Sequence, residues 1–216
     1  MMYRYIREPI NGLTHLLGAI LAIIGTVFLI IKGSQTLNST VEVSSLIIFG
    51  VSMFLLYGAS ATYHMVIASD NVIARLRKLD HSMIYLLIAG TYTPYCVITL
   101  QGTIGWIVLM IIWLAAICGI LFKLIWFHSP RWLSTALYIL MGWLIIFAVV
   151  PLAANLALPG LTLLITGGVI YTLGGVIYAL KPRWLESRYL GFHEIFHLFI
   201  LAGSFAHFLS IYYYVI

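Results

Sequence analysis

The chain has 216 residues, of which 63% are hydrophobic and only 8% are charged, with a formal net charge of +5. Soluble domains carry about 25% charged residues, so this composition excludes a water-facing surface around the whole chain and predicts an integral membrane protein. The basic residues lie in short breaks between apolar runs, a placement that indicates topology signals and argues against a nucleic-acid partner.

Seven apolar runs are each long enough to cross a bilayer, which takes about 20 helical residues. They cover residues 12–31, 43–68, 80–100, 103–127, 130–152, 161–180 and 191–216. Their continuous apolar character differs from the alternating pattern of a transmembrane β-barrel. We therefore predict an all-α integral membrane protein that forms one seven-transmembrane helix bundle over residues 1–216. Within it, Pro94 predicts a kink in the third span, and Ser129-Pro130 predicts the capped start of the fifth.

Lysine and arginine are distributed unequally between the two sides of the predicted bundle. One side has Lys32, and the other has Arg4, Arg7, Arg75, Arg77, Lys78, Lys123, Arg131, Lys181, Arg183 and Arg188. Because basic loops stay in the cytoplasm during insertion, this bias predicts a cytoplasmic N-terminus and an extracytoplasmic C-terminus. It also predicts a multi-pass protein of the cell membrane.

Ionisable side chains inside the predicted spans are few, and each is costly in lipid and therefore a functional candidate. They are His15, His64, Asp80, His81, His193, Glu194, His197 and His207. His193 and His197 are four residues apart, which places both imidazoles on one helix face at a spacing typical of metal ligands. A simple polar pair at the membrane interface is the alternative interpretation of these two histidines.

The predicted topology brings further candidates to the depth of this histidine pair. His64 lies near the end of the second span and Asp80 at the start of the third, on the side where the seventh span begins. Three histidines with an open position are typical of a catalytic zinc site, in which the pKa of a bound water falls towards ~7. The imidazole ligands favour zinc, with iron and manganese as alternatives.

Asp80 and Ser60 are the candidate catalytic residues beside the three histidines. Asp80 would hold the water and act as a general base; as an alternative, it caps the third helix. Ser60 precedes His64 by four residues on the same helix face, where its hydroxyl would orient the water or the substrate. The alternative for Ser60 is a hydrogen bond to a carbonyl of its own helix.

Several segments together resemble the hemolysin III and progestin/adipoQ receptor superfamily. They are the S-x-x-x-H of Ser60 and His64, the segment Lys78-Leu79-Asp80-His81-Ser82, and the H-x-x-x-H of His193 and His197. The resemblance implies a seven-helix fold with zinc held by the three histidines and Asp80 near the metal-bound water. It also implies the ceramidase-like lipid amide hydrolysis with which the receptor members are associated.

The opening E-x-x-N-x-x-x-H of Glu8, Asn11 and His15 is similar to the bacterial hemolysin III branch. The three residues fall at positions i, i+3 and i+7, on one helical face at the depth of the histidines. We expect them to support the metal ligands from outside or to gate the substrate. A cluster of interfacial hydrogen bonds is the alternative.

Three other ionisable residues are expected to lie outside the metal site. His81 should point about 100° away from Asp80, and Glu194 should find a partner inside the bundle or at the interface. His207 lies 14 residues past His193, about 20 Å deeper, and is expected to be a buried, hydrogen-bonded histidine.

These residues predict a zinc-dependent hydrolase of membrane lipid amides or esters, with the lipid as substrate or ligand and no nucleic-acid partner. One alternative is a cytolytic or pore-forming hemolysin, because the name of the hemolysin III members refers to cytolysis. A membrane sensor with a structural zinc is the other. The outer halves of the predicted spans have few polar residues, which weakens the pore hypothesis. The sequence does not indicate the oligomeric state.

Overall fold

The fold is known from a computed structural model that describes residues 5–187 and 190–216. Seven helices within these ranges are long and apolar enough to cross a membrane, and the described residues form no strand. The predicted all-α transmembrane fold is therefore confirmed. Arg4 and Arg188, two of the predicted topology signals, lie outside the described residues.

The seven spans are named here by their order along the chain. They cover Pro9–Thr36, Thr40–Met65, Asp70–Leu100, Gly102–Ile125, Arg131–Asn155, Leu158–Leu180 and Phe192–Val215. Each span packs mainly on its neighbours in sequence, and the first span also touches the seventh, which closes the bundle.

One side of this bundle, called the basic side below, has the starts of the odd-numbered spans and the ends of the even-numbered ones. It carries every described lysine and arginine except Lys32. That this side faces the cytoplasm stays a prediction from the charge bias.

The third span begins at Asp70 and not, as predicted, at Asp80. The predicted span begins only at Asp80 because the residues before it include three basic ones. Arginine, lysine, leucine and alanine are nevertheless good helix formers, so the helix extends back through this segment. The negative charge of Asp70 in the first turn also interacts favourably with the positive end of the helix dipole. Asp80 therefore lies inside the helix, so the alternative that it caps the helix is wrong. The link to the second span is only residues 66–69.

Two spans contain irregular turns that shape the bundle interior. The third span continues as π-helix over Tyr95–Leu100, directly after the predicted kink at Pro94, which has no N–H to donate. The fifth span changes to 3₁₀-helix over Trp143–Ala148. At this break the Tyr92 hydroxyl donates to the Gly142 carbonyl and accepts from the Ile145 amide, each at 2.7 Å.

The predicted cap of the fifth span is wrong in detail. The helix begins at Arg131 after Pro130, and no side chain caps it. The Ser129 hydroxyl is instead within 3.1 Å of the Lys123 ammonium and 3.2 Å of the Ser134 hydroxyl. Competition from these side chains explains why the hydroxyl does not bond to the backbone.

Candidate metal centre

Three histidines from the second and seventh spans meet on the basic side of the bundle. His64 lies one residue before the end of the second helix, and His193 and His197 lie in the first two turns of the seventh. Each offers one ring nitrogen, and these three atoms all lie within 4.8 Å of one another. The arrangement can hold one metal ion.

Two ring nitrogens of these histidines have no hydrogen-bond partner among the described residues. His64 Nε2 and His197 Nδ1 are buried, and neither has a hydrogen-bond partner among the described residues. A buried polar atom without a partner costs free energy, and lipid offers no water in compensation. A metal ion held by the three histidines would satisfy His64 Nε2, so the residues fit the metal that the sequence predicts.

Glu8 occupies the other nitrogen of His64. Its Oε2 lies 2.5 Å from His64 Nδ1, and the Glu8 amide donates to the His64 carbonyl at 2.9 Å. This hydrogen bond with His64 lowers the pKa of the Glu8 carboxyl below its ordinary value. A carboxylate on the far nitrogen of a histidine fixes its tautomer and orientation for metal binding. Glu8 therefore directs Nε2 of His64 towards the other two histidines.

Asn11 holds the start of the seventh span. Its amide donates to Glu194 Oε1 at 2.7 Å, while Glu194 Oε2 accepts from the Gly191 amide at 2.9 Å. Glu194 thus joins the first span to the first turn of the helix that carries His193 and His197. The expected bundle partner of Glu194 is confirmed.

His15 lies directly against one of the three histidines. Its ring stacks on that of His197 with centroids 3.6 Å apart and an angle of 7° between the planes. It is buried, and neither ring nitrogen has a hydrogen-bond partner among the described residues. His15 does not belong to the group whose nitrogens converge, so its contact supports the position of the His197 ring.

Asp80 and Ser60 line the same cavity as His193 and His197. Asp80 is buried and close enough to His64 and His193 to interact with their charges, but it is outside the group of converging ligand atoms. The Ser60 hydroxyl lies near the Asp80 carboxylate without reaching hydrogen-bond geometry. Because Ser60 has no bond to its own helix either, that alternative is wrong.

His81 was expected to point away from Asp80, and this prediction is wrong. His81 Nδ1 lies 3.1 Å from Asp80 Oδ2 and 2.9 Å from the Arg77 carbonyl, and Nε2 lies 3.3 Å from the Tyr178 hydroxyl. Consecutive residues of a helix point about 100° apart at Cβ, yet the His81 ring extends far enough to reach the Asp80 carboxylate. The one indication of this contact in the sequence is that Asp80 and His81 are consecutive residues.

The cavity beside the histidines has a volume of about 340 Å³, within the range of small-molecule pockets. Its walls are mostly apolar and extend to Leu152, Leu164 and His207. His207 packs against Tyr171, with ring centroids 5.2 Å apart, and its Nδ1 has no partner among the described residues. The expected burial of His207 is confirmed, but the structure provides no hydrogen bond to Nδ1. The shape and lining suit the hydrocarbon chain of a lipid.

Comparison with known proteins agrees with this architecture. The family model described as Haemolysin-III related matches residues 3–208. Hemolysin-3 of Bacillus cereus is 43% identical over 216 residues, which cover 100% of this chain and 95% of that protein. The Hemolysin-3 homolog of Bacillus subtilis (strain 168) is 40% identical over 213 residues, covering 99% and 96%. With its seven spans, the chain is a multi-pass cell membrane protein that belongs to the Haemolysin-III related family.

Proposed function

We propose that the protein is a zinc-dependent hydrolase that cleaves amide or ester bonds of lipids within the membrane. One observation carries the proposal. Three histidines direct nitrogens to a common point beside an apolar cavity that Asp80 and Ser60 also line, and two of their buried ring nitrogens have no hydrogen-bond partner among the described residues. Metal ligands, a carboxylate and space for a hydrocarbon chain are the components that such a reaction requires.

The ligand set favours zinc over harder cations. His64, His193 and His197 offer only imidazole nitrogens, whereas magnesium, calcium and manganese prefer carboxylates and water. Three protein ligands leave a position for water or substrate, as in catalytic zinc sites. When bound there, zinc polarises a carbonyl and makes water a better nucleophile at neutral pH.

The protein's own side chains supply the remaining chemistry. Asp80 accepts the proton that water loses as it attacks the carbonyl, and the 3.1 Å contact with His81 fixes the orientation of Asp80. The Ser60 hydroxyl, which has no hydrogen-bond partner among the described residues, donates a hydrogen bond to the carbonyl oxygen of the lipid. The apolar walls hold the hydrocarbon chain and keep bulk water out.

Cytolysis is a second candidate because the similar Bacillus cereus protein is called Hemolysin-3. Lysis would need this protein to permeabilise a bilayer, whereas hydrolysis needs only a lipid with its head in the cavity. The two are separated by comparing dye release from vesicles with turnover of the same lipids. A metal that serves only structure in a sensor would leave both assays negative.

The test begins with protein purified in neutral detergent without added metal. We expect elemental analysis to find about one zinc per chain, and turnover of ceramide-like or glycerolipid substrates to depend on it. The variant His193→Ala/His197→Ala should lose both metal and turnover. His207→Ala is the matched control for metal content, since it removes a buried histidine of the same helix that lies outside the ligand group. Absence of turnover for every lipid would reject the hydrolase.

A further inference from the structure

Three cationic side chains line the cavity on the basic side without a carboxylate partner. Arg77, Lys123 and Arg131 come from the third, fourth and fifth spans. None of them forms an ion pair with a carboxylate of the described residues. Arg77 and Lys123 are close enough for their charges to repel each other. The cluster therefore has an excess of positive charge that no carboxylate of the described residues pairs with.

Lys123 is the most informative of the three. Its side chain is only 3% exposed, although a lysine near a helix end ordinarily extends its ammonium to the interface. An ammonium has three donors, and the bond to Ser129 at 3.1 Å is the one that the described residues provide. A topology signal alone does not require burial, so this position indicates a ligand that offers acceptors.

Arg131 has a similar surplus of donors at the first residue of the fifth helix. Its Nη1 is buried and has no hydrogen-bond partner among the described residues. The guanidinium lies over the ring of Tyr178, with Cζ 4.9 Å from the centroid. The helix start adds its own positive partial charge, and the hydroxyls of Ser129 and Ser134 lie 3.2 Å apart nearby.

We propose that this cluster, Arg77, Lys123, Ser129, Arg131 and Ser134, binds the phosphate of an anionic lipid whose chains occupy the apolar cavity. A phosphate offers several acceptor oxygens, which matches two arginines, a lysine and two hydroxyls better than the two oxygens of a carboxylate. The apolar walls that continue from the cluster favour a lipid over a free anion.

The cluster and the metal centre lie close together. The Tyr178 ring lies between them. Its centroid is 5.5 Å from that of His193 and 4.9 Å from Arg131 Cζ. Head-group binding nevertheless involves different side chains from metal binding. It holds whether or not the metal centre is hydrolytic.

The test measures binding to the full protein in neutral detergent by thermal stability and native mass spectrometry. Phosphatidic acid should raise the melting temperature, whereas diacylglycerol with the same chains should not. Lys123→Gln and Arg131→Gln should each weaken phosphatidic acid binding by about 10- to 100-fold, as expected for lost charged hydrogen bonds. Arg183→Gln is the control, because it removes an exposed charge from the same side and should change nothing.

A second lysine variant separates binding from folding. Lys123→Met keeps the length of the side chain but removes the cation, so the lipid-free protein should melt at a higher temperature and gain less from phosphatidic acid than the unchanged protein does. Inorganic phosphate is tested alone; protection that depends on Lys123 would support the cluster but assign it to a free anion.

Two results would overturn the proposal. The first is equal stabilisation by diacylglycerol and phosphatidic acid, which would make the phosphate irrelevant. The second is loss of phosphatidic acid binding in His193→Ala/His197→Ala while Lys123→Gln binds normally, which would transfer the phosphate to the metal centre.

Discussion

Two buried polar clusters join the second and seventh spans, and they differ in whether their atoms find partners. In the hydroxyl cluster, Tyr57 donates to Ser204 at 2.5 Å, and Tyr171 lies 2.7 Å from the same hydroxyl. In the metal centre, one ring nitrogen of each histidine converges with the others, and His64 Nε2 and His197 Nδ1 have no hydrogen-bond partner among the described residues. An unpaired buried polar atom costs free energy in lipid, and of these two clusters the metal centre is the one in which the described residues leave such atoms unsatisfied.

The two clusters are otherwise closely matched. Tyr57 and His64 are seven residues apart on the second span, and His197 and Ser204 are seven apart on the seventh. Both separations are about two helical turns, or roughly 10 Å along each axis. The same pair of helices thus carries one set of groups that satisfy each other and one set whose ring nitrogens converge without bonding to each other. We expect substitutions in the two sets to have different consequences.

The largest expected effect is that of Asp80→Asn on lipid hydrolysis. Asparagine keeps the shape of the side chain but cannot accept the proton, so the turnover rate should fall by about 10²–10⁴-fold. Zinc content should stay the same, because Asp80 lies outside the ligand group. Turnover and elemental analysis on the same preparation provide the measurement. Asp70→Asn, an exposed carboxylate of the same helix, is the control; loss of zinc from Asp80→Asn would make Asp80 a direct ligand.

Removal of the metal should have the next largest effect, on thermal stability. A ligand that binds only the folded state stabilises it by about 4 kcal/mol when its concentration is 1,000 times its Kd. A strong chelator should therefore lower the melting temperature, because the metal joins the second span to the seventh. His193→Ala/His197→Ala should not respond to the chelator. A similar shift in both proteins would mean that the chelator acts elsewhere.

Glu8→Gln tests the residue that orients His64. Glutamine can still accept a hydrogen bond from Nδ1, but it has no negative charge to make the imidazole a stronger ligand. Loss of such a partner typically costs 10- to 100-fold in metal affinity, measurable by competition with a chelating dye. Glu186→Gln removes an exposed carboxylate of the same side and should leave the affinity unchanged. An unchanged affinity in Glu8→Gln would contradict the role of Glu8.

The smallest effect is expected in the hydroxyl cluster. Tyr57→Phe removes the hydroxyl that bonds to Ser204 and to the Ile200 carbonyl, and Tyr171 still satisfies Ser204. Hydrogen bonds between membrane helices contribute about 0.6 kcal/mol on average, so the melting temperature should fall only slightly and zinc content should not change. Substantial loss of metal in this variant would mean that the two clusters are coupled, for example through the contact of Tyr57 with His15.

The sequence predicts the spans well because apolar length and bilayer thickness are directly related. The observed ends agree with the predicted ones to within five residues, except at the start of the third span. Hydropathy identifies where a helix enters water, but it does not identify where the helix itself begins. Residues 70–79 contain three basic residues and are nevertheless helical. The observed helix therefore starts ten residues before the predicted span, and Asp80 lies inside it.

The site is predictable where it depends on helical spacing and on which side a span begins. Both properties bring His64, His193 and His197 together. Contacts between side chains of different elements follow from neither property. The 2.5 Å contact of Glu8 with His64 requires the segment before the first span to lie on the end of the second. The burial of Lys123 similarly depends on how the fourth and fifth spans pack.

The order of the three histidines along the chain has a consequence for biosynthesis. His64 leaves the ribosome with the second span, but more than half of the chain must follow before His193 and His197 appear. A nascent chain that stalls before the last span has one of the three ligands and cannot hold the ion. A metal held by all three histidines would therefore be loaded among the final steps of assembly, and its occupancy would report that insertion of all seven helices is complete.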